Sequence, residues 1–323
     1  MRTSNTDSDC RIHMFIDQCF PPKSQFFVDQ LPNLSGQVII VTGANTGVGK
    51  VTAKALLAHN AKVYFACRSA EKARAAIDEL RNETGQEGLF LQVDFADLNS
   101  IKRAVEEFTS RETELHVLFN NSGVFSPPLD ALTEQGYDLQ FGVNMLGVFY
   151  FTDLLIPTLT STFASNPEFK PRIINTASLN HTFVNGLKFD TFKDGPKRRK
   201  MSKMALYSQS KFALVVWTTE LARRYADQGI IAISVNPGNL RSEMQRHMSP
   251  FERAIANKTM LYPVDMGGLT QLYAATMPES EAVECNGGYM KPWARVGAAF
   301  AATKDEVLGR QLWEYLEEQV AGF

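Results

Sequence analysis

Metal centres, disulfide frameworks and nucleic-acid interfaces all need residue patterns or a charge excess that this chain lacks. Its four cysteines, Cys10, Cys19, Cys67 and Cys285, form no CxxC pair and no zinc-type spacing, so neither a metal site nor a disulfide framework is indicated. A formal net charge of −2 leaves no excess of positive charge to attract a polyanion, which argues against nucleic acid as a partner. Unpaired cysteines of this kind fit a reducing, intracellular compartment.

The chain also lacks a long uninterrupted apolar run. No stretch approaches the ~20 consecutive apolar residues that a membrane-spanning helix needs. The N-terminus, MRTSNTDSDCRIHMFIDQCF, lacks the basic start and apolar core of a secretory signal. The sequence therefore predicts a soluble, cytoplasmic protein with no membrane span, and it leaves peripheral association with a membrane open.

The 323 residues, of which 44% are hydrophobic, suffice for one large domain. Residues 1–36 are polar, contain prolines and show no periodicity, so we expect an irregular N-terminal arm, with Phe26 and Phe27 as its candidate anchors. Residues 37–323 are predicted to form a single dinucleotide-binding catalytic domain.

Apolar runs and helical patterns alternate from residue 37 onward, which is typical of repeated βαβ units. The predicted strands are QVIIVTG (37–43), AKVYFAC (61–67), GLFLQVDF (88–95), LHVLFNNSG (115–123), RIINTAS (172–178) and IIAISVNPG (230–238). Continuous β-branched runs suit strands that are covered on both faces. The predicted fold class is α/β, a doubly wound, Rossmann-like parallel sheet with its ligand site beyond the C-terminal strand ends.

The loop TGANTGVG follows the first predicted strand and precedes a helix. It places Gly43, Gly47 and Gly49 in a G-x-x-x-G-x-G spacing. Glycine permits a tight turn and a close approach of backbone N–H groups to a pyrophosphate, and the helix N-terminus favours its negative charge. Glycines also occur in turns for purely steric reasons, but the position between strand and helix favours phosphate binding.

The segment YSQSK places Tyr207 and Lys211 four residues apart in a predicted helix. Such residues are neighbours on any helix and are often unrelated. A phenol with a pKa of about 10 is a poor acid and base near neutral pH, and an adjacent ammonium lowers that pKa. The pair therefore also suits reversible proton transfer.

Six signals occur in an order that resembles the short-chain dehydrogenase/reductase family. They are TGANTGVG at 42–49, NNSG at 120–123, Asn144 in FGVN, Ser178 in INTAS, YSQSK at 207–211 and NPGNLRS at 236–242. The resemblance spans about residues 36–292, and TGANTGVGK and YFACR are most similar to the retinol dehydrogenase-like branch and its fungal relatives. Ser122 and Ser242 stand where the family usually has alanine and threonine, and both keep a small side chain or a hydroxyl.

The resemblance implies hydride transfer between a nicotinamide cofactor and a small-molecule carbonyl or alcohol. In the family's scheme, Tyr207 transfers the proton, Ser178 binds the substrate oxygen and Lys211 also binds the nicotinamide ribose. Asn144 would hold a water that resupplies protons; alternatively it is a helix-interior asparagine satisfied by the backbone. The implied cofactor-binding residues are Gly43, Asn45, Thr46, Gly47, Val48, Gly49, Arg68, Asp94, Phe95, Asn121, Ser122, Gly123, Tyr207, Lys211, Pro237, Gly238, Leu240 and Ser242.

The end of the second strand indicates which nicotinamide cofactor is bound. An acidic residue there binds the ribose diol of NAD, whereas arginine accommodates the 2′-phosphate of NADP. Here the acid position holds Cys67 and the next residue is Arg68, which predicts NADP(H). The alternative is that Arg68 is merely an exposed arginine at a strand end.

Two segments are predicted to form the substrate site, at about 180–204 and 241–263. The first is longer than in many family members and carries Lys193, Lys197, Arg198, Arg199, Lys200 and Lys203. It is either a solvated, mobile loop, which we favour, or a lid that attracts anionic substrates or the headgroups of membrane lipids. His181 either touches substrate or is polar surface. An apolar pocket for a bulky substrate is suggested by Met244, Met248, Phe251, Met260, Tyr289 and Trp293. The alternative for most of them is ordinary packing in a lid or in the core.

Three classes of function stay open. The complete Ser-Tyr-Lys set favours a redox enzyme over a non-catalytic nucleotide-binding regulatory protein on the same fold. Epimerisation or dehydration on this fold is the third alternative. Relatives form dimers through the long helices predicted here at about 134–160 and 205–228, but retinol dehydrogenase-like members vary, so a homodimer is an open expectation.

Overall fold

One eight-stranded sheet forms the centre of the protein. The computed structural model describes residues 4–241 and 261–323. The strands are β1 (Val38–Thr42), β2 (Lys62–Cys67), β3 (Leu89–Gln92), β4 (Val117–Asn120), β5 (Arg172–Thr176), β6 (Ile231–Val235), β7 (Tyr289–Lys291) and β8 (Arg295–Gly297). Their order is β3-β2-β1-β4-β5-β6-β7-β8, and all neighbours are parallel except β7 and β8. The predicted doubly wound α/β sheet in a single domain is confirmed.

The sheet is covered on both faces by helices. These are α1 (Ser4–Cys19), α2 (Gly47–Ala58), α3 (Ala70–Thr84), α4 (Leu98–Thr109), α5 (Leu139–Ser165), α6 (Lys203–Tyr225), α7 (Asp265–Thr276), α8 (Glu279–Glu284) and α9 (Glu306–Val320). One core lies between the sheet and α4, α5, α6 and α9. A second core lies between the sheet and α2, α3 and α7.

Strand β1 shows why its sequence is apolar throughout. All five of its residues are buried. Val38 and Ile40 belong to the core under α4 and α5, whereas Ile39 and Val41 belong to the core under α2 and α3. Alternate side chains of a strand point to opposite faces, so a strand covered on both sides needs a continuous apolar run.

Helix α5 is the one described helix that is long and apolar enough to cross a membrane by length and composition. However, 83% of its apolar window is buried inside the domain. It therefore packs as a core helix of the domain. A π-helical turn at Gly142–Leu146 interrupts its first part, and such turns often occur at functional sites.

The expectation of an arm irregular over all of residues 1–36 is wrong in part. Residues Ser4–Cys19 form helix α1. This stretch contains neither proline nor glycine, and the helix ends before Pro21 because a residue that precedes proline is disfavoured in helical geometry. Of the two candidate anchors, Phe26 is buried against Tyr273, with ring centroids 5.1 Å apart, whereas Phe27 is 57% exposed.

Candidate active site

The glycine-rich loop turns sharply between β1 and α2. Gly43 and Gly47 have φ angles of +69° and +57°, in the left-handed region that favours glycine. Gly49 has no room for a side chain, because a Cβ there would lie 2.5 Å from the Gly43 carbonyl oxygen. Thr46 precedes α2 without a side-chain cap, which leaves the first N–H groups of the helix suited to an anion. This cradle fits the pyrophosphate of a dinucleotide.

Hydrogen bonds join this loop to the end of β4. The Thr42 hydroxyl oxygen accepts from the backbone N–H groups of Asn121 (2.9 Å) and Ser122 (2.8 Å). The Asn121 side-chain amide donates to the Thr42 carbonyl at 2.9 Å. The contacts fix β1 and β4 where the strand order reverses, which is where doubly wound sheets bind their ligands.

The acid position at the end of β2 holds a buried thiol. Cys67 lies against the backbone of Gly43, Ala44 and Asn45, and burial raises the pKa of its thiol to about 11. A thiol in that state is neutral at physiological pH. It does not replace the carboxylate that would bind a ribose diol.

Arg68 extends from this position into solvent. Its side chain is 76% exposed, and its Nε lies 4.0 Å from Asp94 Oδ2. Asp94 is itself held by the Ala96 N–H, which donates to Oδ1 at 2.9 Å. The guanidinium is therefore accessible at the end of β2, which fits both a group that binds a 2′-phosphate and the alternative of an exposed arginine at a strand end.

Phe95 is one of the cofactor-binding residues that the resemblance implies, at the position that borders the adenine, but its ring lies in the core. The ring packs edge-on against Phe151 with centroids 5.4 Å apart, and the residue is 6% exposed. Only the backbone of Phe95 is therefore available to contact a cofactor in the cleft. The apolar ring is better buried under α5 than exposed at the mouth of the site.

Helix α6 and the end of β5 bring together three predicted catalytic residues. Tyr207 and Lys211 lie one turn apart on α6, and both are buried. The Ser178 hydroxyl lies within reach of the Tyr207 phenol, and it donates to Asn180 Oδ1 at 3.3 Å. Lys211 Nζ donates to the Thr176 carbonyl at 2.6 Å and lies 6.0 Å from the centre of the Tyr207 ring.

Burial dominates the titration of these groups. It raises the pKa of Tyr207 to about 12, and the nearby Ser178 hydroxyl opposes that shift. It lowers the pKa of Lys211 to about 8. The sequence predicts a phenol pKa depressed by the ammonium, and the structure instead places that ammonium against a carbonyl of β5.

Asn144 lies in the π-helical turn and is fully buried. Its Oδ1 accepts from the Val124 N–H at 2.8 Å, and its Nδ2 donates to the Val124 carbonyl and to Ser210 Oγ, each at 3.0 Å. A Cβ on Gly123 would lie 3.2 Å from Asn144 Oδ1 and 3.6 Å from Lys211 Nζ. The side chain thus sits beside the lysine and is satisfied by protein groups, as the backbone alternative predicts.

The turn after β6 forms the other wall of the cleft. Gly238 adopts φ of +87°, and its N–H donates to the Asn236 side chain at 3.0 Å. Pro237 precedes it, and Leu240 is 7% exposed. The predicted contact Ser242 lies outside the described residues, as do the proposed pocket residues Met244, Met248, Phe251 and Met260.

The remaining two proposed pocket residues pack inside the protein. Tyr289 and Trp293 are 2% and 3% exposed. Trp293 packs edge-on against Tyr262, with ring centroids 5.1 Å apart, and its ring fills the space beside Gly238. Both residues therefore pack behind the elements that surround the site and are not exposed in it.

The basic segment between Ser178 and Tyr207 is built around a buried arginine. Arg198 is 1% exposed. It pairs with Asp138 at 2.9 Å and with Asp194 at 3.1 Å, and it donates to the carbonyls of Leu129 (2.6 Å) and Ala131 (3.3 Å). The expectation of a solvated, mobile loop is wrong at this residue, because Arg198 fastens the segment to the start of α5.

Two more basic residues of the segment pair locally. Arg199 pairs with Asp194, and Lys197 pairs with Asp190. These pairs neutralise much of the positive charge. The structure therefore weakens the alternative of a loop built to attract anions.

His181 is buried, contrary to the expectation of polar surface. It is 0% exposed, and burial lowers its pKa to about 4. Its Nε2 accepts from the Phe300 N–H at 3.2 Å, so its Nδ1 donates to the Ser178 carbonyl at 2.7 Å. His181 thus ties the backbone of Ser178 to the C-terminal part of the chain, which no local sequence pattern indicated.

Apolar side chains surround the phenol. Phe125 packs edge-on against Tyr207 with ring centroids 4.7 Å apart. Asn180, two residues after Ser178, donates to Met204 Sδ at 3.0 Å, and Met204 is 47% exposed. Phe125 lies two residues after the NNSG signal, which is the clue that sequence reasoning passed over.

The chain belongs to the short-chain dehydrogenase/reductase family. The family's sequence profile, short chain dehydrogenase, matches residues 37–188 and 196–253. The fold, the glycine loop and the grouping of Ser178, Tyr207 and Lys211 agree with that match. The chain is therefore an oxidoreductase of this family with a nucleotide-binding Rossmann fold.

Relatives of the chain include both fungal and retinol-dehydrogenase types, as the sequence predicts. A short-chain dehydrogenase/reductase of Armillaria gallica is 52% identical over 304 residues, covering 94% of this chain and 96% of that protein. Human retinol dehydrogenase 11 is 35% identical over 285 residues, covering 87% and 85%. A short chain dehydrogenase from Burkholderia cenocepacia, solved in complex with NADP, has a TM-score of 0.62 and 26% identity, covering 81% of this chain and 98% of that one.

Proposed function

We propose that the protein is an NADP(H)-dependent oxidoreductase that acts on the carbonyl or alcohol group of a bulky apolar substrate. One observation carries this proposal: the buried Tyr207 and Lys211 and the half-buried Ser178 lie together at the C-terminal end of β5, beside the glycine cradle. Proton transfer and oxygen binding at one point, next to a dinucleotide site, are what reduction of a carbonyl requires.

The roles of the three side chains follow from their protonation. Bound NADPH would supply the hydride. Tyr207, with its pKa raised to about 12, holds its proton at neutral pH and can donate it to the substrate oxygen. Ser178 orients that oxygen through its hydroxyl, and the Lys211 ammonium stabilises the phenolate that donation leaves behind.

The glycine loop and Arg68 are the proposed holders of the cofactor. Gly43, Gly47 and Gly49 receive the pyrophosphate at the start of α2. Arg68 faces solvent, with its nearest acidic contact at 4.0 Å, so its guanidinium can engage a 2′-phosphate through paired hydrogen bonds. The buried neutral thiol of Cys67 offers no matching acceptor for a ribose diol.

Apolar side chains near the phenol support an apolar substrate. Phe125 packs edge-on against the Tyr207 ring, and Met204, whose sulfur contacts Asn180, is 47% exposed. Ligand pockets are lined mainly by apolar and aromatic side chains around a few polar groups.

A turnover scan tests the proposal. The protein is incubated with NADPH or NADH and a panel of aromatic, terpenoid, steroid and long-chain carbonyl compounds, and nicotinamide absorbance is followed. We expect turnover of bulky apolar carbonyls with NADPH and at least a hundredfold less with Tyr207→Phe. Tight NADPH binding without turnover of any compound would instead support the non-catalytic nucleotide-binding alternative.

A further inference from the structure

Helix α1 lies upstream of the nucleotide-binding domain, yet its last turn is anchored among the groups that line the cleft. Asp17 pairs with Arg295 and Lys291, each at 2.8 Å, across β7 and β8. Gln18 and Cys19 are 2% and 0% exposed. A helix that only covered a surface would not need a buried amide such as that of Gln18 where it docks, because buried polar groups must be hydrogen-bonded.

The Gln18 amide oxygen joins two elements of the site. It accepts from Asn236 Nδ2 and from the Tyr289 hydroxyl, both at 2.8 Å. Asn236 in turn accepts from the Gly238 N–H at 3.0 Å, so its side chain is held between α1 and the turn after β6. The neighbouring Cys19 Sγ accepts from Asn239 Nδ2 at 3.2 Å, which ties the same turn to α1 a second time.

The other branch runs toward Ser178. The Tyr289 ring packs against the His181 imidazole with centroids 4.8 Å apart. His181 bridges the Ser178 carbonyl and the Phe300 N–H. A buried chain of contacts therefore leads from Gln18 to the backbone of the residue that binds the substrate oxygen in the proposed function.

We infer that Gln18 is a positioning residue of the active site, through which helix α1 fixes the turn Asn236–Leu240 against the nicotinamide end of the cofactor. This inference rests on the proposed function and on the family resemblance, which implies that Pro237, Gly238 and Leu240 bind the cofactor. The Ala177 N–H donates to the Val235 carbonyl at 2.8 Å, so the turn after β6 lies beside Ser178, where the nicotinamide must react. Loss of the Gln18 oxygen leaves two buried donors unpaired, and the turn relaxes to satisfy them. Among the described residues, the phosphate cradle at Gly43–Gly49 shares no hydrogen bond with this network.

The test compares two ligands that differ at the nicotinamide. Gln18→Met keeps the length of the side chain and removes the acceptor. We expect it to weaken NADPH binding about fivefold, the effect of roughly one hydrogen bond, and to leave the affinity for 2′-phospho-ADP-ribose within about twofold. Gln18→Glu keeps an acceptor oxygen and should restore part of the NADPH affinity. Gln30→Met is the matched control, since Gln30 is exposed and its oxygen accepts only the arm's own Phe27 N–H among the described hydrogen bonds.

Each outcome decides the inference without requiring turnover. A selective loss for NADPH supports it even if no substrate is turned over, in which case the proposed function fails separately. Equal losses for both ligands would show that Gln18 only stabilises the fold, and no loss for either would show that α1 does not act on the nicotinamide end. An effect of Gln30→Met as large as that of Gln18→Met would also overturn the inference.

Discussion

Removal of the Arg198 side chain should destabilise the protein more than any other single change in the basic segment. The guanidinium is 1% exposed and the Asp138 side chain that it pairs with is 3% exposed. Arg198→Ala would leave that carboxylate buried without its partner, which typically costs about 3–5 kcal/mol. Asp138 would keep the N–H groups of Gln140 and Phe141 as donors, so we expect the lower end, about 3 kcal/mol.

The same variant should also lower activity. Asp138 caps the start of α5, the helix that carries Asn144. Two residues further on, Gln140 accepts from the Ser126 N–H and donates to the Lys203 carbonyl, at 2.9 Å each. Without Arg198 the Asp138 cap would keep its N–H donors but would be held less firmly, which would loosen contacts on both sides of Tyr207. We therefore expect a lower kcat in the protein that remains folded.

Urea unfolding provides the measurement, with Arg199→Ala as the control. Arg199 carries the same charge one position further on, but its side chain is 68% exposed, and exposed pairs contribute little. The Asp138→Asn variant and the double variant that combines it with Arg198→Ala complete a cycle that measures the coupling itself. An unfolding free energy of Arg198→Ala within about 1 kcal/mol of the unmodified protein would refute the buried-pair argument.

Three further changes test the site. Tyr207→Phe should lower kcat at least about a hundredfold and leave NADPH affinity within about twofold, because it removes only the transferable proton; a kcat within a few-fold in stopped-flow assays would contradict the role. Reduction by NADPH should decline as the pH rises through about 8, where free Lys211 loses its proton, and Lys211→Arg should remove that limb from the kcat/KM profile. Because folding lowers this pKa from 10.5, its penalty on stability is present below about pH 8 and is relieved as the pH rises further. Arg68→Ala should raise the KM for NADPH about tenfold and that for NADH only slightly, and adding Cys67→Asp should move the preference toward NADH; equal kcat/KM for both cofactors in the unmodified protein would show that Arg68 is only a surface residue.

The sheet and the glycine loop were predictable because local pattern and local geometry coincide there. A strand buried on both faces requires an apolar run, as in Val38–Thr42, and a loop with φ angles of +69° and +57° requires glycine. The order of Ser178, Tyr207 and Lys211 along the chain likewise survives in the structure as a spatial group. In each case the residue type is demanded by its immediate surroundings.

Residues whose partners are distant in sequence were the ones that could not be predicted. Arg198 reads as one charge in a basic run until Asp138, 60 residues away, is placed beside it. His181 is polar and lies in a loop, yet the Phe300 N–H, 119 residues away, makes it a buried neutral bridge. Gln18 meets Asn236 at a separation of 218 residues. Burial of a polar side chain depends on whether its hydrogen bonds are satisfied, and a sequence does not state which distant groups will satisfy them.

The protonation of the catalytic pair bears on the direction of the reaction. The spacing of Tyr207 and Lys211 suggested a phenol made acidic by its neighbour, but burial shifts both groups toward their neutral forms. With pKa values of about 12 and about 8, the pair holds a protonated phenol and a charged amine at neutral pH. That state is ready to donate a proton to a carbonyl oxygen, whereas alcohol oxidation must first remove the phenol proton against its desolvation. Under the proposed function this resting state favours reduction, and the Lys211 ammonium would act after proton donation, by stabilising the phenolate until it is reprotonated.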